Sequence, residues 1–324
     1  MRLPQKPRSP TRRLLAKSLM VLLGLGILAA RPSASHADEL TLFNYVSPGL
    51  DWSTPQRLGK TMLEGYSAYV RELKGVRVHP IGHVAVELKC DTSAFGPAIH
   101  FSTAMEPSSN TEAARVLLVD QAGLGVLFFD LKGELDDTAY VQKTNAKHVK
   151  MGKGMNFVTF KIRPSSCQRL VQYYSEYIAR GYGAHYGLQN RPRYGEGAGC
   201  SAFGISFIDI AGFLTDEWKT AWSRTIVAPA ALTGGQLNPG NKVPFSSILK
   251  DIDSTRRWAY DWEPHYSIFF YDPDLIYAWV NDVYERESHQ ATGEAELTSM
   301  GPLRGLIIDR TSVETPTDPI WITN

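Results

Sequence analysis

Residues 195–214, GEGAGCSAFGISFIDIAGFL, constrain the fold of this chain more than any other stretch. A glycine-rich loop runs into Cys200, and from that cysteine onward Phe203, Phe207, Ile210 and Phe213 recur every three or four residues. Such spacing holds one face of a helix against a core. A buried helix that starts at Cys200 places the thiol in its first turn, where unpaired N–H groups and the positive dipole end favour a thiolate. The plainer alternative is a small apolar residue filling the core, the usual fate of a free cysteine. The rest of the chain separates the two.

The first 37 residues carry seven basic side chains and no acidic ones. An uncharged apolar run of 13 residues, 18–30, follows the basic part, and Ser35-His36-Ala37 ends the segment. This is the order of a secretory signal, with cleavage expected before Asp38. The apolar run is shorter than the roughly 20 residues a bilayer requires, so no stable span is expected after cleavage. Thr11-Arg12-Arg13-Leu14-Leu15 faintly resembles a twin-arginine signal, which implies export in the folded state. Removing the seven leader residues from the 34 basic ones leaves 27 against 33 acidic, a net charge of −6 with histidines neutral. That balance argues against nucleic acid or an anionic membrane surface as the main partner. Three cysteines remain, Cys90, Cys167 and Cys200. An oxidising compartment pairs cysteines and an odd count leaves one over. A Cys90–Cys167 disulfide with Cys200 free is therefore expected, three reduced thiols being the alternative.

Periodicity sets the remaining elements. Residues 38–48 read as a strand and turn, and Thr54-Pro55 as the start of a helix to residue 73. In residues 81–90, Val84, Val86 and Leu88 alternate with His83, Ala85 and Glu87, the pattern of a strand; residues 98–104 complete a hairpin. Further strands are expected at 114–120, 125–131, 156–162 and 306–309, a helix at 164–179, and an exposed loop or irregular hairpin at 136–154. Residues 256–280 are dense in aromatics, and packing over the sheet is favoured there over a glycan- or lipid-facing groove. The expected organisation is a signal peptide (1–37), an N-terminal strand and helix (38–80), a core (81–221) and a C-terminal extension (222–324). The class is α+β.

A cysteine nucleophile needs a base within hydrogen-bond reach and a partner that orients the base. His83 and His100 lie on the two strands of the 81–104 hairpin, where adjacent strands can bring both to one face. Gly82-His83-Val84-Ala85-Val86 with Ile99-His100-Phe101-Ser102 resembles the HVGIY … IHAS hairpin of NlpC-type cell-wall cysteine peptidases. Cys200-Ser201-Ala202-Phe203 with Ala211-Gly212-Phe213 resembles that family's DCSGF … AGI helix, with Gly199 where aspartate is usual. Tyr186-Gly187, 14 residues before the cysteine, resembles its approach loop. The histidine hairpin here precedes the cysteine by 117 residues, which resembles the circularly permuted papain-like group that includes YiiX-like proteins and lecithin retinol acyltransferase. The resemblance implies a permuted papain-like core, an antiparallel sheet packed on the nucleophile helix. It also implies Cys200 as nucleophile, His83 as general base, His100 as the residue that orients it, and Tyr186, Gly199 and Ser201 on the substrate side.

Competing chemistries are weaker. Cys167 also opens a helix but lacks the glycine-rich approach. His79 and His83 are four apart on a loop-to-strand segment with no HExxH or CxxC motif, so no metal is expected. No phosphate-loop Gly-Lys-Ser/Thr occurs in residues 181–199, and no cofactor is implied. The expected function is periplasmic or secreted, cysteine-dependent hydrolysis of an amide or ester in a small molecule, cell-wall peptide or lipid. The alternatives are acyl transfer and a non-catalytic envelope binding protein on the same fold.

Overall fold

The computed structural model describes residues 38–72, 79–91, 97–250 and 257–323. The expected signal peptide, 1–37, lies outside them. The first described residues form strand β1 (Asp38–Tyr45). Leu40 and Leu42 face one core while Phe43 and Tyr45 face another, as a strand covered on both sides requires. Helix α1 (Pro55–Glu72) starts where the Thr54 hydroxyl accepts the Arg57 N–H. Strands β2 (His83–Cys90) and β3 (Ile99–Thr103) form the expected hairpin, and the chain then passes straight into a short strand β4 (Met105–Pro107).

The next stretch departs from expectation. Residues 114–120 are not a strand; they fall mostly in helix α2 (Asn110–Leu118). An apolar run does not by itself distinguish helix from strand, and here Ser109 decides by capping the Thr111 N–H, with Glu112 in the first turn. Residues 124–128 form a single 3₁₀ turn, and the strand that follows is β5 (Leu131–Leu135). The segment 136–154, expected as a loop, holds helix α3 (Thr138–Met151), capped by Asp137 and ended by Gly152 at φ +69°. Its buried face is Val141, Thr144, Asn145 and His148, a helical stripe made mostly of polar residues that hydropathy does not reveal.

Strand β6 (Met155–Ile162) and helix α4 (Pro164–Ala179) follow as expected. The glycine-rich loop carries a two-residue strand β7 (His185–Tyr186) and delivers the chain to helix α5 (Cys200–Ile210). Beyond it come α6 (Asp216–Ala221), β8 (Ser223–Pro229), α7 (Phe245–Leu249) and β9 (His265–Tyr271). Helix α8 (Pro273–Gln290) and strands β10 (Glu296–Met300) and β11 (Leu303–Asp309) complete the elements.

The main sheet has the order β10-β11-β6-β1-β2-β3. All its pairings are antiparallel except β11 with β6, which makes the sheet mixed within an α+β fold. Strands from 38–80, 81–221 and 222–324 thus share one sheet. Helices α4, α5 and α8 supply Tyr173, Phe203, Phe207 and Val280 to the core on one face of the sheet; Val141 of α3 packs with Phe43, Ala85 and Phe157 on the other. A disulfide joins Cys90 at the end of β2 to Cys167 in the first turn of α4. The aromatic-rich segment mostly packs: β8 and β9 build a second core in which Trp52, Phe128, Ile226 and Phe270 meet, although Trp262 and Phe269 face solvent. Among the described residues no helix is long and apolar enough to cross a membrane.

Candidate active site

Cys200 is the first residue of α5 and is 3% exposed. Gly199 occupies the N-cap position, and Ser201 is buried behind it with Oγ 3.8 Å from the Cys200 sulfur. One turn further on, a Cβ at Gly204 would sit 2.6 Å from Val84 Cγ1. Glycine there lets α5 lie directly on β2. Strand β3 stops pairing with β2 at Val86, which leaves the start of β2 an open edge. The Cys200 sulfur sits at that edge, with the Val84 backbone N–H and the Ser201 and Tyr186 hydroxyls turned towards it.

Burial pushes the Cys200 thiol above its ordinary pKa, and the Val84, Ser201 and Tyr186 hydrogen bonds only partly offset that. At rest the group is therefore a thiol, not the thiolate expected from its place at a helix N-terminus. A raised pKa means that the proton leaves only on the alkaline side of the ordinary thiol value, about 8.5. Alkylation of Cys200 by iodoacetamide should therefore keep rising above about pH 8.5, with no plateau near pH 6–7; a stopped-flow rate profile reads this directly. Tyr186 is raised well above its ordinary value by burial and by the neighbouring charges of Cys200 and Glu106. Its hydroxyl keeps its proton and stays a donor.

His83 opens β2 after Gly82, which has φ +75°. A Cβ at Gly82 would lie 2.9 Å from Pro273 Cβ and 3.1 Å from the Tyr45 carbonyl oxygen, so only glycine makes this turn. The His83 ring is 3% exposed and stacks on His79 at 3.9 Å between centroids and 8° between planes. Both imidazoles converge on Glu106 of β4, which is 1% exposed: His79 Nε2 lies 3.2 Å and His83 Nε2 3.7 Å from its Oε1. Glu106 belongs in turn to the electrostatic surroundings of Tyr186. Cys200 is thus linked through Tyr186 to Glu106, and Glu106 to the two imidazoles.

His100, expected to orient the base, does not reach it. It pairs with Lys89 across the β2–β3 ladder, six residues along β2 from His83, or about 20 Å at strand rise. Its Nε2 lies 3.1 Å from Glu87 Oε2, which also accepts from Ser102, on the exposed outer strand. Glu106 holds the place given to His100. Accordingly, His100→Ala should leave the site chemistry within about twofold, whereas Glu106→Gln should lower it by about tenfold or more, within the range of acid–base contributions. Parallel kcat/KM measurements with a far-UV spectrum of each variant check this.

A cavity of about 180 Å3 borders the group, lined by His79, Glu106 and Tyr186 on one side and Met62, Val126, Leu127 and Phe129 on the other. Ile81 and Leu188 line both this cavity and the small cleft over Gly199, Cys200 and Ser201, so the two adjoin. No protein-family model, curated protein or solved structure matches the chain. The site is therefore interpreted from its own residues.

Of the expected residues, Cys200, Ser201, Gly199, Tyr186 and His83 are brought to one end of β2, and His100 is not. Cys167, the second candidate nucleophile, is spent in the disulfide. Glu106 was missed because it lies past the end of the expected strand. Its signal is a lone carboxylate between Met105 and Pro107, where an exposed loop has no need of the flanking apolar residues.

Proposed function

We propose that this protein is an exported cysteine-dependent hydrolase that cleaves an amide or ester through a thioester, on a permuted papain-like core. The observation that carries this is the buried Cys200 at a helix start, packed on the strand that begins with His83, itself backed by Glu106. In the first step the Cys200 proton passes to His83 as sulfur bonds to the acyl carbon. The carbonyl electron pair moves to oxygen, where N–H groups of the first turn of α5 and the Tyr186 hydroxyl are placed to stabilise the charge. Collapse expels the amine or alcohol, which takes the proton from His83. Water, deprotonated by the same imidazole, then splits the thioester and returns the hydrogen to sulfur. Glu106 holds the imidazole and balances its transient charge. The disulfide supports an oxidising, periplasmic or extracellular setting.

The apolar lining of the adjoining cavity favours substrates with a hydrophobic group beside the scissile carbonyl. Each methylene removed from water contributes about 0.8 kcal/mol, so kcat/KM for p-nitrophenyl octanoate should exceed that for the acetate by at least about tenfold. Intact-mass spectrometry during turnover should show the acyl group on Cys200. Absence of both turnover and acyl-enzyme across the ester series, and across matching anilides, overturns the reading in favour of a binding protein.

A further inference from the structure

We propose that His79, His83 and Glu106 form a binding site for a zinc-class divalent cation, and that its occupancy silences the Cys200 thiol. The second half rests on the hydrolase reading; the site itself does not. One donor atom from each residue lies within 4.8 Å of the other two. Two of these separations are 3.2 Å and 3.7 Å, from Glu106 Oε1 to His79 Nε2 and to His83 Nε2. Three ligands about 2.0–2.2 Å from a tetrahedral ion sit roughly 3.3–3.6 Å from one another. These two separations are already close to those of a bound set, and the third is within 4.8 Å.

The donor chemistry selects the ion. Two imidazoles and one carboxylate suit zinc and its transition-metal neighbours, whereas calcium and magnesium prefer all-oxygen sites. Burial strengthens the case, because a nearly inaccessible carboxylate beside two histidines gains more from a cation than an exposed one would. The route in is the 180 Å3 cavity, whose wall includes His79 and Glu106. The parallel stack of the two rings must open for both lone pairs to point at one ion. His79 lies ahead of β2 on a turn closed by the Gly82 N–H to His79 carbonyl bond, so its ring can tilt without disturbing the sheet. The His79-x-x-x-His83 spacing belongs to no HExxH or CxxC motif, and this turn brings the two rings together.

Metal on His83 removes the lone pair that would accept the Cys200 proton. Zinc therefore acts as an off-state for the thiol, and chelation restores activity. The test is calorimetric titration of metal-free protein with Zn2+, alongside Cys200→Ser, His79→Ala and Glu106→Gln, with Ca2+ and Mg2+ as controls. The expected result is one Zn2+ per chain, full affinity in Cys200→Ser, and losses in His79→Ala and Glu106→Gln larger than the roughly 10- to 100-fold cost of an outer-shell partner. His79→Ala replaces the most accessible of the three groups and keeps the test open if Glu106→Gln fails to fold. No binding, binding indifferent to His79→Ala, or binding lost in Cys200→Ser overturns the site. For the second half, saturating Zn2+ should slow iodoacetamide labelling of Cys200 at least tenfold in the wild type and not in His79→Ala. Protection that persists in His79→Ala means zinc sits on the thiol itself, and overturns the off-state. Zinc binding by Cys200→Ser without any hydrolase activity in the wild type separates failure of the hydrolase reading from failure of this one.

Discussion

Serine in place of Cys200 is expected to lower ester hydrolysis by at least about 10³-fold, the scale at which a nucleophile working as a unit with its base is lost. The fold should hold. The new hydroxyl is close in size to the thiol and meets the same Val84, Ser201 and Tyr186 partners, so the stability change should stay within about 1 kcal/mol. Thermal unfolding and intact mass read the two effects separately: an unchanged melting temperature, and no acyl adduct. The loss should also be non-additive with Glu106→Gln. In the proposed mechanism Glu106 acts mainly through the imidazole that serves Cys200, so removing it in the Cys200→Ser background should cost little further. Turnover that survives Cys200→Ser places the chemistry elsewhere and rejects the mechanism.

The expected elements that held share one property: each carries buried apolar residues at its own period. Strand β2 shows Val84, Val86 and Leu88, and helix α4 shows Leu170, Tyr173 and Tyr177. Helix α3 turns Thr144, Asn145 and His148 inward, satisfied partly by the Tyr45 hydroxyl donating to Asn145 Oδ1 and by His148 Nδ1 donating to the Lys153 carbonyl. Such a stripe reads as solvent-exposed in a sequence. The candidate site failed at one position for a related reason. His83 and His100 do lie on paired strands, but the register sets His100 opposite Lys89, and register depends on turn geometry as well as on alternation. The continuation of β3 into β4 then brings Glu106 back to His83 from a different sheet. A long-range pairing of this kind leaves no periodic trace. The leaving-state of the thiol was also illegible, since a helix N-terminus lowers its pKa while burial raises it, and only the packing shows that burial prevails.

Loss of the Cys90–Cys167 disulfide is expected to cost about 4 kcal/mol of stability, from the loop-closure entropy of a 77-residue separation. Nearly half of a typical domain's stability is of that size, so Cys90→Ala with Cys167→Ala should shift the denaturant midpoint strongly and steepen the slope, because the unfolded chain without the cross-link exposes more surface. Activity of the protein that remains folded should not follow. Cys90 is at the opposite end of β2 from His83, about 23 Å away at strand rise, and the bond fixes α4 rather than α5. A fall in stability below about 1 kcal/mol would show that packing alone holds α4 to the sheet. The expected large fall means instead that the bond carries much of the hold of α4 on the sheet, while the third cysteine, Cys200, stays buried and unpaired with either of the others. The neutral resting state of Cys200 follows from that burial.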